Sequence, residues 1–251
     1  MSKKYLKKDS KKKLNFKFII FLIIIIFISI YFLYNTNFNL ITTTDNFGTI
    51  FISKNSSYSG TGQEAVSDKD GYFTTFTTVD ENKKTYKEFK QNGNSSWANK
   101  SYWGGTMEEN GCGITALAII ASGYNKNVTP EDLREEFYPV LDGNSYGNVL
   151  KNYYGIDNTD FLYDSSYFSN NYILEHLKTN RPILVCVWNK PHNNRWTTAS
   201  HYLVLLACDD KNNVYVSNPN GGKNDSKSSG WYNINEITPF IAKILFIESY
   251  N

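Results

Sequence analysis

PILVCVWNKPHNNRWTTASHYLVLLACDDKNNVYVSNP, Pro182 to Pro219, is the stretch that decides the fold. It holds three apolar, β-branched runs, ILVCVW, HYLVLLAC and NVYVS, separated by segments rich in Asn, Asp, Lys and Pro. Short runs of this kind bounded by turn formers read as strands. The second and third are joined by a turn around Lys211–Asn213, so they are expected to lie side by side and antiparallel. Further on, INEITPFIA reads as a helical turn and KILFIES (Lys243–Ser249) as a last strand.

Upstream of Pro182 the period changes. CGITALAIIASGY (Cys112–Tyr124) has apolar residues at helical spacing and ends at Gly123, a candidate left-handed C′ residue. TPEDLREEFY opens with Thr129 as N-cap, Pro130 at the first helical position and Asp132 three residues after the cap. SYGNVLKNYYG and NNYILEHLKTN read as two more short helices. Helices first and an antiparallel sheet afterwards is an α+β pattern.

The other end of the chain is of a different kind. Residues 1–17 carry eight lysines against the single Asp9, a local charge of +7, which leaves −5 for the rest of a chain whose net charge is +2. A mildly acidic remainder excludes a nucleic-acid surface as partner. Residues 18–34, FIIFLIIIIFISIYFLY, are 17 residues without a charge, flanked by the lysines on one side and Tyr31 and Tyr34 on the other. That is near the short limit for a helix crossing a bilayer. The lysines place residues 1–17 in the cytoplasm and everything after Tyr34 outside the cell. No small-residue cleavage site follows, so a retained single-pass signal-anchor in the cell membrane is expected rather than a removed signal peptide. Residues 35–83 read as a polar spacer or extension, and 84–251 as the compact domain.

The three cysteines differ in context. Cys186 and Cys208 sit in the apolar runs; if the runs pair as a hairpin, Cys186 faces roughly Val204 rather than Cys208, and both read as buried thiols, not a disulfide. Cys112 stands where a polar loop, MEENG, becomes a helix. A helix N-terminus lowers a thiol's pKa, and a thiolate is the form that attacks a carbonyl. Gly111 and Gly113 leave the turn without Cβ atoms, room for a substrate carbonyl. A purely structural cysteine at a helix start is the plainer alternative.

A thiol nucleophile needs a base. His176 lies within ILEHLK and reads as a surface or boundary residue; His192 lies in the polar loop NKPHNNRW. His201 opens a strand, where the sheet edge fixes a side chain beside a cleft. The next strand ends at Asn218, and antiparallel pairing sets the start of one strand beside the end of the other. An asparagine carbonyl at that place can accept the imidazole N–H and orient the ring. NPNGG is also a strong turn sequence in its own right. No pair of cysteines or histidines has metal-ligand spacing, so neither metal nor cofactor is expected.

GCGITALA, HYLVLLACDD and VYVSNPNGG together resemble the papain-clan cysteine peptidases of family 39, the bacteriocin-processing type and its relatives. The resemblance covers roughly Lys84 to Ser249 and implies a papain-like domain. It implies Cys112 as nucleophile, His201 as base, Asn218 as orienting residue and, from YKEFKQNGNSSW, Gln91 as oxyanion donor. The bacteriocin-processing members commonly carry Asp where this chain has Asn218, and leader removal inside an exporter does not suit an outward-facing domain. The expected activity is therefore an outward-facing, membrane-anchored cysteine peptidase acting on peptides or proteins, with membrane lipid met through the N-terminal helix. The competing readings are a catalytically silent, surface-anchored peptide-binding module and a cell-wall amidase or transpeptidase. Trp97, Tyr102, Trp103, Trp188, Trp196 and Trp231 cluster around these stretches as groove or packing residues, and NKPHNNRWTTAS, carrying Trp196, is the candidate substrate flap.

Overall fold

A computed structural model describes residues 61–68, 71–79, 82–93, 95–189, 195–220 and 229–250, all within one unit, Asn55–Asn251. The expected membrane span, residues 18–34, lies outside the described residues, among which no helix is long and apolar enough to cross a membrane.

The apolar runs after Pro182 form the centre of a six-stranded antiparallel sheet. Its members are β6 (Ile156–Asn158), β7 (Ile183–Trp188), β8 (Ser200–Cys208), β9 (Asn213–Ser217), β10 (Gly230–Asn233) and β11 (Ile241–Tyr250), in the order β10-β9-β8-β7-β11-β6. These strands are apolar on both faces because both faces are covered. Val204, Leu206, Leu184, Tyr215 and Leu245 turn to one core, while Leu203, Leu205, Val185, Val216 and Phe246 turn to the other. Fully burying such a side chain contributes roughly 1.5–3 kcal/mol.

The first core is filled by α2 (Cys112–Ser122), which follows a single turn of helix, α1 (Met107–Asn110). Every residue of α2 from Gly113 to Ser122 is buried, which is why the segment is small and apolar all round. Gly123 caps it with φ −67°, a right-handed conformation, so the expected left-handed C′ turn is absent. Helices α3 (Pro130–Phe137) and α4 (Tyr146–Tyr154) complete this side. Thr129 and Asp132 form the expected reciprocal cap on α3. The second core is closed by Ile173, Leu174 and Leu177 of α5 (Asn170–Leu177) and by Ile234 and Ile237 of the short 3₁₀ turns before β11.

Two features depart from the sequence reading. The β7–β8 hairpin closes at Trp188 and Ser200, which sets Cys186 opposite Tyr202 rather than Val204, and His201 is the second residue of β8, not the first. All three cysteines are free. The extension before Lys84 contains β1 (Thr61–Asp68) and β2 (Gly71–Thr77), which pair with β3 (Thr85–Phe89) in a three-stranded antiparallel sheet. The Phe76 ring, 1% exposed, stacks on Tyr215 of β9 at 3.8 Å between centroids, so β2 shares the core of the larger sheet. A hairpin this rich in Thr and Gly gives little apolar signal, and one buried aromatic carries its attachment.

Candidate active site

Cys112 is the first residue of α2. The junction before it is built by a capping box on α1: Glu109 N–H donates to Thr106 Oγ1 (3.3 Å) and Thr106 N–H to Glu109 Oε2 (2.8 Å). Gly111 N–H then closes on the Met107 carbonyl (2.8 Å), and Thr115 N–H on the Gly111 carbonyl (3.0 Å). The flanking glycines serve the chain's own packing, not the approach of a substrate. A Cβ on Gly111 would lie 2.4 Å from the Met107 carbonyl oxygen, and one on Gly113 would lie 2.1 Å from the Tyr146 hydroxyl.

Cys112 as a residue is part-exposed. Burial pushes its pKa above the ordinary thiol value, while amide N–H groups of Tyr202, Gly113 and Cys112 itself pull the other way. The helix-start effect expected from the sequence is therefore present in kind, and desolvation outweighs it. Cys186 and Cys208 are pushed up as well, to about 11 and about 12, again by burial. The Tyr202 amide contact is also topological: it brings the residue after His201 to the thiol, joining β8 to the mouth of α2.

His201 is 4% exposed, and its Nε2 lies 2.7 Å from Oδ1 of Asn218, itself fully buried. The same Oδ1 accepts the backbone N–H of Asn220 at 2.9 Å. An amide nitrogen could not accept that bond, so the atom facing His201 is the oxygen, and His201 Nε2 must be the donor. Nδ1 then carries the basic lone pair.

A β-bulge makes this pairing possible. Below it Ala207 faces Tyr215 and Cys208 faces Val214; above it Leu205 faces Val216 and Val204 faces Ser217, with Leu206 as the extra residue. Carried on without the bulge, the lower register would set Asn218 opposite Val204, on the face away from His201. With it, Asn218 falls opposite Leu203 and shares the His201 side.

Gln91 is buried, and its Nε2 donates to the Glu108 carbonyl of α1 at 2.6 Å; its Oε1 has no hydrogen-bond partner among the described residues. Its backbone N–H donates to the Pro219 carbonyl at 2.9 Å, beside Asn218. The amide therefore stands between the turn of helix before Cys112 and the end of β9. All four residues singled out in the sequence occupy one region where α1, α2, β8 and the end of β9 meet.

Other expectations divide. Trp196 is 1% exposed, donates its Nε1–H to the Glu236 carbonyl (2.8 Å) and packs edge-on against Tyr232, so it is a core residue rather than the tip of a flap. Trp97 and Tyr102 are likewise buried, whereas Trp103 and Trp188 are about half exposed. His192 lies outside the described residues. His176 is more enclosed than expected: its ring lies 4.8 Å from that of Phe246, and burial, with Arg181 nearby, drives its pKa down to about 3. Among the described residues no group of His, Cys, Asp and Glu could hold a metal ion.

What the sequence missed is the support behind Asn218. Lys90, 7% exposed, donates from Nζ to the Asn218 carbonyl (2.7 Å) and to Ser229 Oγ (2.9 Å). Glu88, fully buried, accepts from Thr74 (2.9 Å) and Tyr215 (3.0 Å) through Oε2. The signal was the pair Glu88 and Lys90, opposite charges two residues apart and so on one side of an extended segment.

The amide of Tyr202, the residue after the Asn-held His201, thus meets the helix-mouth thiol at the sheet rim. The model of the Peptidase_C39 like family matches residues 83–238, and the chain belongs to that family. A crystal structure of a candidate C39-like peptidase from Bacillus anthracis is similar at 14% identity and a TM-score of 0.36, covering 57% of this chain and 91% of that one. No curated protein matches the chain.

Proposed function

We propose that the chain is a thiol hydrolase cleaving peptide or amide bonds, with Cys112 as nucleophile, His201 as base, Asn218 as orienting residue and Gln91 as oxyanion donor. The observation that carries the reading is the His201–Asn218 bond, which fixes the tautomer and leaves Nδ1 as the basic nitrogen. In the reaction, Nδ1 takes the Cys112 proton and the sulfur attacks the amide carbonyl carbon. The electron pair moves to the carbonyl oxygen, where the Cys112 N–H and the second N–H of Gln91 Nε2 face the developing charge. The tetrahedral adduct collapses, His201 gives its proton to the departing amine, and water cleaves the thioester by the same path in reverse. Asn218 holds the imidazolium throughout. The lysines of residues 1–17 and the uncharged residues 18–34 support placing this domain outside a cytoplasmic membrane, on a lipid-embedded helix, with peptides or proteins there as substrates.

The raised Cys112 pKa favours a second reading, a binding module that keeps the scaffold without the chemistry. Alkylation of the full chain across about pH 4 to 9, read for each cysteine by mass spectrometry, separates the two. Rapid labelling of Cys112 well below the ordinary thiol pKa, abolished in His201→Ala, is the expected result. An ordinary pH profile indifferent to His201→Ala would replace the hydrolase with the binding module.

A further inference from the structure

Lys90 is a buried lysine with no place in the chemistry above. Taking such a group out of water is costly, and an apolar side chain would fill the same space more cheaply. Burial pushes its pKa down, with Glu88 opposing. What the lysine does in exchange is specific. Its Nζ reaches the Asn218 carbonyl and Ser229 Oγ, and that same Oγ accepts the Asn218 N–H at 3.0 Å. Both backbone polar groups of Asn218 are thus held by one lysine and one serine. The other end of Lys90 is pinned as well: its carbonyl accepts from Ser95 Oγ and Trp97 Nε1, both at 2.8 Å. The next residue is Gln91, whose N–H holds the Pro219 carbonyl.

We infer that Lys90 is a positioning residue for the His201–Asn218 pair: by gripping the Asn218 backbone it keeps Oδ1 on His201 Nε2 and ties that pair to Gln91. The inference rests on the reading of His201 as the base. Asn218 follows the last residue of β9, where ladder bonds no longer hold it, and a side chain can orient a ring only if its own backbone is fixed. Lys90 supplies that fixation from a segment pinned on the other side of the site. It acts on a neutral amide, so it adds no counter-charge to the imidazolium.

The test uses the full chain labelled with ¹⁵N-histidine. The His201 Nε2–H resonance and its exchange rate are followed beside the thermal midpoint and Cys112 alkylation. Lys90→Met keeps the stem and removes the donors and charge; the Nε2–H is expected to exchange about tenfold faster, with a matching drop in Cys112 labelling at acid pH. Ser229→Ala, at a half-buried position, should give the same change in smaller size, and Lys90→Arg should restore part of it. Ile173→Val, in the other core, should lower the midpoint without moving the His201 signal. A folded Lys90→Met with the parent His201 spectrum overturns the inference; if that variant does not fold, an unchanged spectrum in Ser229→Ala overturns it instead. If Cys112 of the parent proves an ordinary thiol while the His201 signal still responds to Lys90→Met, the hydrolase reading falls and the positioning role stands.

Discussion

His201 and His176 are both packed into this domain, and their surroundings have opposite consequences. At the rim of β8 and β9, Asn218 accepts from His201 Nε2 and leaves a defined basic nitrogen. Between α5 and β11, His176 lies against Phe246, and its Nε2 has no hydrogen-bond partner among the described residues. Backbone carbonyls of Ile247 and Pro182 favour the charged ring there, but burial and Arg181 outweigh them and hold it neutral to about pH 3. Enclosure alone disarms an imidazole. An acceptor on one ring nitrogen, itself held from behind, makes the other usable.

The largest expected effect separates the two directly. His201→Ala should lower turnover on a cleavable peptide by roughly 10³- to 10⁴-fold, whereas His176→Gln should leave it within about twofold; equal losses would end the distinction. Next, Gln91→Ala should lower kcat by about 10²- to 10³-fold with little change in KM, as loss of one oxyanion donor does. Asn218→Ala should cost about ten- to a hundredfold, the worth of one hydrogen bond to a charged group. A loss as large as that of His201→Ala would mean that orientation, not basicity, is what the rim supplies.

The smallest effect belongs to His176 and appears in stability rather than rate. Its folded pKa, about 3, lies below the ordinary 6.5, so the unfolded chain takes up a proton more readily. Stability is therefore full above about pH 6.5 and falls as the pH drops toward 3. The whole shift would amount to roughly 5 kcal/mol at 1.36 kcal/mol per unit. Because the residue is only part-buried, about 2 kcal/mol is expected after screening by water. His176→Gln should remove that slope in acid denaturation, and an unchanged slope would show that other groups set it.

Much of this was legible in the sequence, for physical reasons that can be named. The cap Thr129-Pro130-x-Asp132 and the uninterrupted apolar runs of β7 and β8 are local signals, and local signals survive without a structure. One rule of antiparallel pairing set Asn218 near His201, but placing the two on one face took the bulge at Leu206, which nothing in the local sequence announces. What stayed hidden depends on contacts distant in sequence. Nothing near Phe76 announces a partner at Tyr215, and Gly113 looks like open space until Tyr146 is found against it. Trp196 resembled a flap residue because its loop leads to His201, yet its indole is tied to Glu236. The helix start promises a low thiol pKa, but dipole effects can be read from position, whereas desolvation cannot.

The bulge in β8 carries one more consequence. It makes the candidate site a matter of counting as well as of composition. Every residue named as catalytic could be retained, and an in-frame loss of the single codon for Val204, between the bulge and His201, would still set Asn218 opposite Tyr202 when the ladder is carried on from Leu205, leaving His201 on the other face. The site of this chain can therefore be silenced by length alone, three positions from the residue it turns away, with no substitution for a motif search to notice.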